Sequence, residues 1–315
     1  MLTLSRRHLL RAAIGSSAAL GIALGSSASP VSAASSADVD VMAEPMTTDR
    51  VLVAVDAAKP GSLSTAVVRG PAGKALGKAT LSATGKALVP VKVAANAETT
   101  LTITVLTAGK NPTVGFEETI TVSTQESRLA SSIWRVVNKR LPMGADEVPE
   151  GLETVAGLQF HPAAAVSFLV FQEAALAQKV SFQAVSAYRT YARQKTLYDG
   201  YVEREGRDAA DRYSARPGHS EHQTGLAIDA RASDDECTLD ECFEDTPEGT
   251  FIAQHAADHG FVIRYTKGNG GHTGYDPEPW HLRYVGTWMA RYLKESKATS
   301  LEEAWGLPAA PDYGP

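Results

Sequence analysis

Two patterns of apolar spacing in the chain predict an α+β domain with a small antiparallel sheet and flanking helices, preceded by a small all-β, sandwich-like domain. Residues 49–125 consist of short runs that alternate apolar and polar positions, separated by turn residues such as AAKPG and AGKNP. Residues 126–315 instead mix helical apolar spacing with short strands. A chain of 315 residues is long enough for about two domains. Its 43% hydrophobic and 21% charged residues are typical of globular proteins.

The first 33 residues have the pattern of a twin-arginine secretory signal peptide. Arg6 and Arg7 precede a leucine pair, and the weakly apolar stretch that follows ends in small residues. Serines and glycines interrupt this stretch, so it is too short for a permanent membrane span. We expect cleavage near Ala33, a secreted protein associated with the cell wall, and no membrane span afterwards. Residues 34–48 are small and polar, which favours a flexible leader.

Strands of the first domain are predicted over VLVAVD, STAVVRG, ALVPVKV, TLTITVLT and ETITVST. Their close spacing predicts an antiparallel sandwich that ends near Thr124. The segment contains no histidine and no cysteine, and nothing in it indicates catalysis. Composition leaves a spacer role and a wall-binding role equally open.

The second domain begins with segments of mixed type. Apolar spacing predicts helices in SRLASSIWRVVNK and HPAAAVSFLVFQEAALAQ, then a strand in VSFQAVSAYR and a polar helix in TYARQKTLYDGYVEREGRDAADRYS. A further helix is predicted from Thr246 to Gly260. The strands FVIRY and WHLRYVG flank the glycine-rich loop TKGNGGHTGYDPEP.

The net charge indicates which partners the protein can bind, and the cysteine content bears on whether it forms a disulfide. The formal net charge of −6 gives no electrostatic basis for binding nucleic acid. Cys237 and Cys242 are the only cysteines, and both lie beyond the predicted signal peptide. In an oxidising compartment, a disulfide that closes this small loop is favoured over a zinc site made from two thiolates.

Asp229 and His222 are candidate metal ligands. The strand LAIDA places Leu226 and Ile228 on one face and Asp229 on the other. A carboxylate in such an apolar strand is unfavourable unless it is paired or binds a cation. His222 lies just before Gly225, where a tight turn can direct its ring towards the same point.

The segment EPWH supplies the remaining parts of such a site. His281 begins a strand, and Glu278 lies just before it. Two histidines, one carboxylate and a glutamate outside the ligand set are the parts of a catalytic zinc site with an open position. Glu278 would take the proton of the attacking water and return it to the leaving amine. Positions 278 and 281 of a regular strand point to opposite faces, so we expect Pro279 to kink the backbone.

The other histidines are weaker candidates. His255 and His259 are four residues apart on a predicted helix, but the glutamate of the His-Glu-x-x-His motif is absent, which favours a solvated helix face. His161 stands beside a proline and is expected to be structural. His219 and His272 lie close to the candidate site in sequence, and their roles stay open.

Ser220 offers a different chemistry, that of a serine nucleophile. Gly-His-Ser-Glu-His lacks the closing glycine of the Gly-x-Ser-x-Gly turn, and the chain has no Ser-x-x-Lys. We therefore expect Ser220 to be a hydrogen-bonding group near the metal rather than the nucleophile.

Three segments, SAYRTYARQ, SARPGHSEHQTGLAIDA and TGYDPEPWHLRYVG, together resemble the VanY-type D-alanyl-D-alanine carboxypeptidases, a family of zinc peptidases. The resemblance covers roughly residues 128–292. The pattern Ser-x-His-x-x-Gly-x-Ala-x-Asp followed by Glu-Pro-Trp-His is specific. It implies that His222, Asp229 and His281 bind zinc and that Glu278 is the general base.

The same resemblance assigns roles to three more residues. It implies that Arg189 holds the substrate carboxylate or stabilises the oxyanion, for which a planar guanidinium with two parallel hydrogen bonds is suited. An ordinary ion pair at the strand end is the structural alternative for Arg189. Ser220 matches a position that touches the substrate, and Trp280 is expected to pack beneath the site.

These observations predict an exported, zinc-dependent D,D-carboxypeptidase that removes the C-terminal D-alanine from peptidoglycan stem peptides. We expect one zinc ion per chain and a monomer. An L,D-carboxypeptidase or a D,D-endopeptidase with the same site is the alternative. A wall-binding protein with an inactive peptidase fold is a third hypothesis, which the complete set of ligands and base disfavours.

Overall fold

The computed structural model describes residues 38–125, 129–235, 237–296 and 298–314. The predicted signal peptide therefore lies outside the described residues. The chain divides into two compact units, Met1–Leu129 and Ala130–Pro315. Within the described residues, no helix has both the length and the apolar character needed to cross a membrane.

The described part of the first unit is an antiparallel β-sandwich. One sheet has the strand order β1-β2-β5, and the other has the order β4-β3-β6-β7. Alternate side chains of the two sheets form one core, with Val53, Val68 and Ile103 fully buried. This arrangement confirms the all-β, sandwich-like prediction. The strands are β1 (Val39–Thr47), β2 (Arg50–Ala57), β3 (Leu63–Arg69), β4 (Ala75–Thr80), β5 (Lys86–Lys92), β6 (Glu98–Thr107) and β7 (Val114–Ser123).

Within the described residues, from residue 38 onwards, the structure corrects the expectation of a flexible leader over residues 34–48. Strand β1 occupies Val39–Thr47 and pairs with β2 in an antiparallel register. Val39, Val41 and Ala43 recur at every second position and pack against the sandwich core. Because these apolar residues are few and small, this period of two was missed in the sequence.

The second unit is built around the antiparallel sheet β10-β11-β13-β12. A separate hairpin pairs β8 with β9, and helices flank the central sheet, as the α+β prediction required. Its strands are β8 (Glu153–Val155), β9 (Leu158–Phe160), β10 (Phe182–Ser186), β11 (Ala227–Ala232), β12 (Phe261–Tyr265) and β13 (Glu278–Tyr284). Its helices are α1 (Pro162–Ala177), α2 (Tyr191–Glu205), α3 (Arg207–Tyr213), α4 (Pro247–His255), α5 (Gly270–Thr273), α6 (Thr287–Glu295) and α7 (Leu301–Ala304).

Helix α1 packs aromatic side chains against the sheet. His161 caps the helix, because its Nδ1 accepts a hydrogen bond from the Ala163 amide at 3.2 Å. The ring of Phe171 lies 5.0 Å from that of Phe182 and 6.1 Å from that of Phe261, centre to centre. The structural role expected for His161 is thus the capping of this helix.

The helix expected in SRLASSIWRVVNK does not form beyond its first residues. Only residues 129 and 130 of the described part are helical, and residues 131–139 follow an irregular path. The carbonyls of Ile133 and Arg135 accept hydrogen bonds from Arg283 at 3.1 and 2.7 Å, and Trp134 donates to the Val285 carbonyl at 2.9 Å. Hydrogen bonds to and from the sheet thus replace the backbone hydrogen bonds of a helix. The spacing of apolar residues alone does not reveal these long-range bonds.

The helix predicted from Thr246 to Gly260 is confirmed, with an unexpected environment for its histidines. Thr246 caps α4, and a 3-10 turn over Ala256–His259 continues the helix to Gly260. His255 lies against the Phe251 ring at 4.5 Å, and His259 stacks on an α1 phenylalanine at 4.6 Å. Both histidines are half-buried against aromatic rings, so the expectation of a solvated face was wrong.

Candidate active site

Strands β11 and β13 bring Asp229 and His281 together. The two residues are direct partners in the antiparallel register. Oδ1 of Asp229 lies 3.3 Å from Nδ1 of His281, and both side chains are buried. The pKa of the Asp229 carboxyl lies well below its usual value: burial opposes this shift, but His222 and His281 more than offset it.

A tight turn supplies the second histidine. His222 lies on a 3-10 turn over Glu221–Thr224, which ends at Gly225 in the left-handed conformation with φ of 68°. A Cβ atom at Gly225 would also approach the His161 amide nitrogen to 2.8 Å, so glycine is required twice over. The turn directs Nε2 of His222 to within 3.1 Å of Oδ2 of Asp229.

The three side chains form a metal-binding geometry. Within the described parts of the chain, His222, Asp229 and His281 offer ligand atoms that all lie within 4.8 Å of one another. Nδ1 of His222 is 2.7 Å from the Ala187 carbonyl, to which it donates, so Nε2 is the free ligand atom. Two imidazole nitrogens and one carboxylate oxygen are a donor set suited to catalytic zinc.

Glu278 reaches the same site through an irregularity in β13. Between the pairs Ile263–Leu282 and Tyr265–Glu278, strand β13 contains two more residues than β12. This bulge places Oε2 of Glu278 3.3 Å from Nδ1 of His281. The kink expected at Pro279 therefore lies within an observed bulge. Burial raises the pKa of the Glu278 carboxyl.

Arg189 is held at the edge of the three ligand groups. Its Nη1 donates to Gln194 at 2.8 Å, and its Nη2 donates to Ser186 at 2.7 Å. Nη2 also lies 3.5 Å from Oδ2 of Asp229, and the side chain is 20% exposed. The guanidinium therefore has a fixed orientation and one face open to a ligand.

Comparisons with known proteins identify the family of the second unit. The profile of the VanY family, described as D-alanyl-D-alanine carboxypeptidase, matches residues 157–287. The solved structure of the LdcB LD-carboxypeptidase is 34% identical, with a TM-score of 0.53, and the match covers 56% of this chain and 87% of that one. The chain belongs to the VanY family. The match contains every residue of the candidate site, and the β-sandwich lies outside it.

Two curated relatives show the same partial coverage. The putative carboxypeptidase YodJ of Bacillus subtilis is 42% identical over 131 residues, which are 42% of this chain and 48% of YodJ. VanXYC of Enterococcus gallinarum, a bifunctional D-Ala-D-Ala dipeptidase and carboxypeptidase, is 35% identical over 121 residues, which are 38% of this chain and 63% of VanXYC. The matched region thus spans about half of YodJ and somewhat more of VanXYC.

The candidate site opens into a cleft of about 480 Å³. Ser220 lies on its wall next to His222. Trp280 also lines the cleft and is only half-buried, so it does not pack beneath the site. Other lining residues include Tyr201, Tyr213, Leu239, Asp240 and Glu241.

The predicted disulfide forms between Cys237 and Cys242. It closes a short loop whose residues Leu239, Asp240 and Glu241 line the cleft. The disulfide therefore constrains part of the cleft wall rather than a remote loop.

Glu221 is a buried residue beside the candidate site that the sequence analysis missed. Its side chain is completely buried, and its Oε1 accepts hydrogen bonds from Arg264 at 3.0 Å and from Arg283 at 2.8 Å. Burial opposes ionisation, but the two guanidinium groups hold the pKa of Glu221 far below its usual value. The signal that could have indicated it is an arginine within each of the strands FVIRY and HLRYV, because buried arginines require acidic partners.

The two remaining histidines near the site have other contacts. Nδ1 of His219 lies 2.8 Å from the Asn138 carbonyl, and its ring packs edge-on against Tyr313. Nδ1 of His272 lies 3.3 Å from the hydroxyl of Ser300. Neither histidine belongs to the metal-binding group found among the described residues.

Proposed function

We propose that this chain is a zinc-dependent D,D-carboxypeptidase that removes the C-terminal D-alanine from peptidoglycan stem peptides. The convergence of His222, Asp229 and His281, with Glu278 beside them, is the observation that supports it most directly. The named activities of VanXYC and LdcB, both carboxypeptidases, support the same reaction class.

The three ligand groups fit zinc by their chemistry. Each is buried, and imidazole nitrogens with a carboxylate oxygen are the usual ligands of such a site. Bound there, Zn²⁺ would polarise a carbonyl and would lower the pKa of water from about 15.7 towards about 7. Buried ionised Asp229 also gains a cationic partner, which relieves the cost of burying its charge.

Glu278 is the proposed general base. Its carboxyl lies beside His281 but outside the three ligands, so it is available to accept a proton from the attacking water. A carboxyl with a raised pKa is better matched to this transfer near neutral pH. The same carboxylic acid then returns the proton to the leaving amine.

Arg189 is the proposed partner of the substrate's C-terminal carboxylate. Gln194 and Ser186 fix its guanidinium, which leaves its remaining N–H groups for a charged acceptor in the cleft. The alternative role, stabilisation of the developing oxyanion, uses the same donors. Ser220 on the cleft wall adds a hydroxyl within the same space.

L,D-carboxypeptidase activity is the second candidate. The likeness to the LdcB LD-carboxypeptidase favours it, and the metal-binding group is compatible with either bond. Incubation of a stem pentapeptide and a stem tetrapeptide separately, followed by mass spectrometry, distinguishes the two. Loss of D-alanine from the pentapeptide alone supports the D,D activity, and loss from the tetrapeptide alone contradicts it. A cross-linked dimer as third substrate tests for endopeptidase activity.

Export by the twin-arginine route is a separate part of the proposal. Arg6 and Arg7 are the residues on which it depends. Replacement of both by lysine should retain the chain inside the cell, as measured by fractionation and immunoblotting. Unchanged export of the double variant would contradict this route.

A further inference from the structure

Two buried polar atoms face each other behind the metal-binding group. Nε2 of His281 and Oε2 of Glu221 are both buried, and neither has a hydrogen-bond partner among the described residues. They lie 3.7 Å apart, and the two side chains are 6% and 0% exposed. Buried polar groups in native proteins are nearly always paired, so this juxtaposition requires an explanation.

We propose that Glu221 is a positioning residue that fixes the tautomer and orientation of His281. Its carboxylate accepts the Nε2–H of His281, and this leaves the Nδ1 lone pair directed into the metal site. The inference rests on the proposed function, because it gives His281 the role of a metal ligand.

The two ring nitrogens of His281 have different surroundings. Nδ1 lies 3.3 Å from Oδ1 of Asp229 and 3.3 Å from Oε2 of Glu278, on the side of the metal site. Nε2 points to Glu221 on the opposite side. His222 has the same arrangement, with the Ala187 carbonyl behind its ring. Ligand histidines commonly donate their second N–H to such an acceptor, which fixes the ring and increases its basicity.

Two arginines keep the Glu221 carboxylate in place. Arg264 and Arg283 both donate to Oε1, which leaves Oε2 for His281. Glu302 accepts two further hydrogen bonds from Arg264, at 3.0 and 2.6 Å. The buried network thus contains two carboxylates and two guanidinium groups, and its charges balance.

The variant Glu221→Gln tests the tautomer directly. The two arginines require an acceptor, so the amide oxygen of glutamine must take the place of Oε1. Its NH₂ group then faces Nε2 of His281 and donates to it. This contact favours the opposite tautomer, in which Nδ1 carries the proton and cannot bind a metal.

The experiment combines zinc affinity with the protonation state of the ring. Zinc affinity is measured by competition with a chromogenic chelator, and ¹H–¹⁵N NMR of the zinc-loaded protein reports whether the Nε2–H of His281 is hydrogen-bonded. We expect Glu221→Gln to raise the Kd for zinc by about 10- to 100-fold and to remove the downfield Nε2–H signal that a hydrogen bond to a carboxylate produces.

Glu302→Gln is the matched control. It removes a carboxylate from the same buried network, but Glu302 contacts Arg264 and Asn138 and no histidine. Its Kd for zinc and the Nε2–H signal of its zinc-bound His281 should equal those of the wild type. Equal losses of zinc affinity in both variants would overturn the inference, as would an unchanged Nε2–H signal in Glu221→Gln.

The wild type decides the matter if Glu221→Gln does not fold. Zinc-loaded wild-type protein should show a hydrogen-bonded Nε2–H of His281, and an Nε2–H that exchanges freely with solvent would overturn the inference. A wild type that binds no zinc would instead refute the proposed function.

Discussion

Oε2 of Glu278 lies 3.3 Å from Nδ1 of His281, although the two residues are only three positions apart on one strand. A regular strand would direct them to opposite faces. The bulge in β13 removes this restriction, because it inserts two residues relative to β12. The proposed base and a proposed ligand therefore share one face of the sheet.

The first prediction concerns Glu278 as the base. Glu278→Gln should lower kcat by roughly 10²- to 10⁴-fold, because general-base catalysis contributes about that much. Zinc content should not change, since Glu278 lies outside the three ligands. Steady-state kinetics and metal analysis measure both effects. Glu203→Gln, an exposed change on α2, is the control, and a near-normal rate for Glu278→Gln would eliminate it as base.

The second prediction concerns the metal ligands. His222→Ala should reduce the zinc content from about one per chain to near zero, because three protein ligands are the usual minimum of a catalytic site. His255→Ala is the control, since its ring packs against Phe251 outside the ligand group. Elemental analysis after gentle purification measures zinc in both. Full zinc retention by His222→Ala would be inconsistent with the proposed site.

Local features of the site could be predicted from the sequence. Asp229 is a single carboxylate in an apolar strand, and Gly225 is the turn residue that returns His222 to it. Both are properties of neighbouring residues in the chain. The pairing of Asp229 with His281 depends on a register between distant strands, and the resemblance to a family supplied it.

Long-range features could not be predicted. The partners of Glu221 lie 43 and 62 residues away in sequence, on two strands, and no local pattern connects them. The irregular segment over residues 131–139 carries helical apolar spacing, but its carbonyls bond to Arg283. The β13 bulge likewise depends on the pairing with β12.

The third prediction concerns Arg189. Arg189→Lys should lower kcat/KM for a peptide with a free C-terminal carboxylate by about 10- to 100-fold, the cost of losing a hydrogen bond to a charged group. A carboxamide-ended peptide should show little difference between variant and wild type if the carboxylate is the partner. An equal loss on both peptides would favour the oxyanion role. Arg193→Lys, exposed on α2, is the control.

The fourth prediction concerns the loop that the Cys237–Cys242 disulfide closes. Replacement of Cys237 and Cys242 by serine should lower the free energy of unfolding by about 2 kcal/mol, as expected for a short closed loop. The KM should rise, because Leu239 and Glu241 on this loop line the cleft. Denaturation curves and kinetics measure the two effects. A reducing agent should produce both changes in the wild type and neither change in the double variant. An unchanged KM in the double variant would show that the loop does not contact substrate.

The fifth prediction concerns the pH dependence of stability. Burial tends to raise the pKa of Glu302, but Arg264 more than offsets this and holds it below its ordinary value of 4.5. A carboxylate with a depressed pKa stabilises the folded state above its unfolded pKa, and this contribution is lost as the pH falls through the folded value. The free energy of unfolding of the wild type should therefore decrease more steeply below about pH 4.5 than that of Glu302→Gln, by up to about 1.4 kcal/mol per pH unit. Chemical denaturation of both proteins, kept metal-free so that zinc release does not contribute, measures the difference. If the free energies of unfolding of the two proteins fall in parallel with pH, Glu302 does not cause this part of the acid sensitivity. In that case Glu221, the second carboxylate bound to Arg264, keeps the arginine paired by itself.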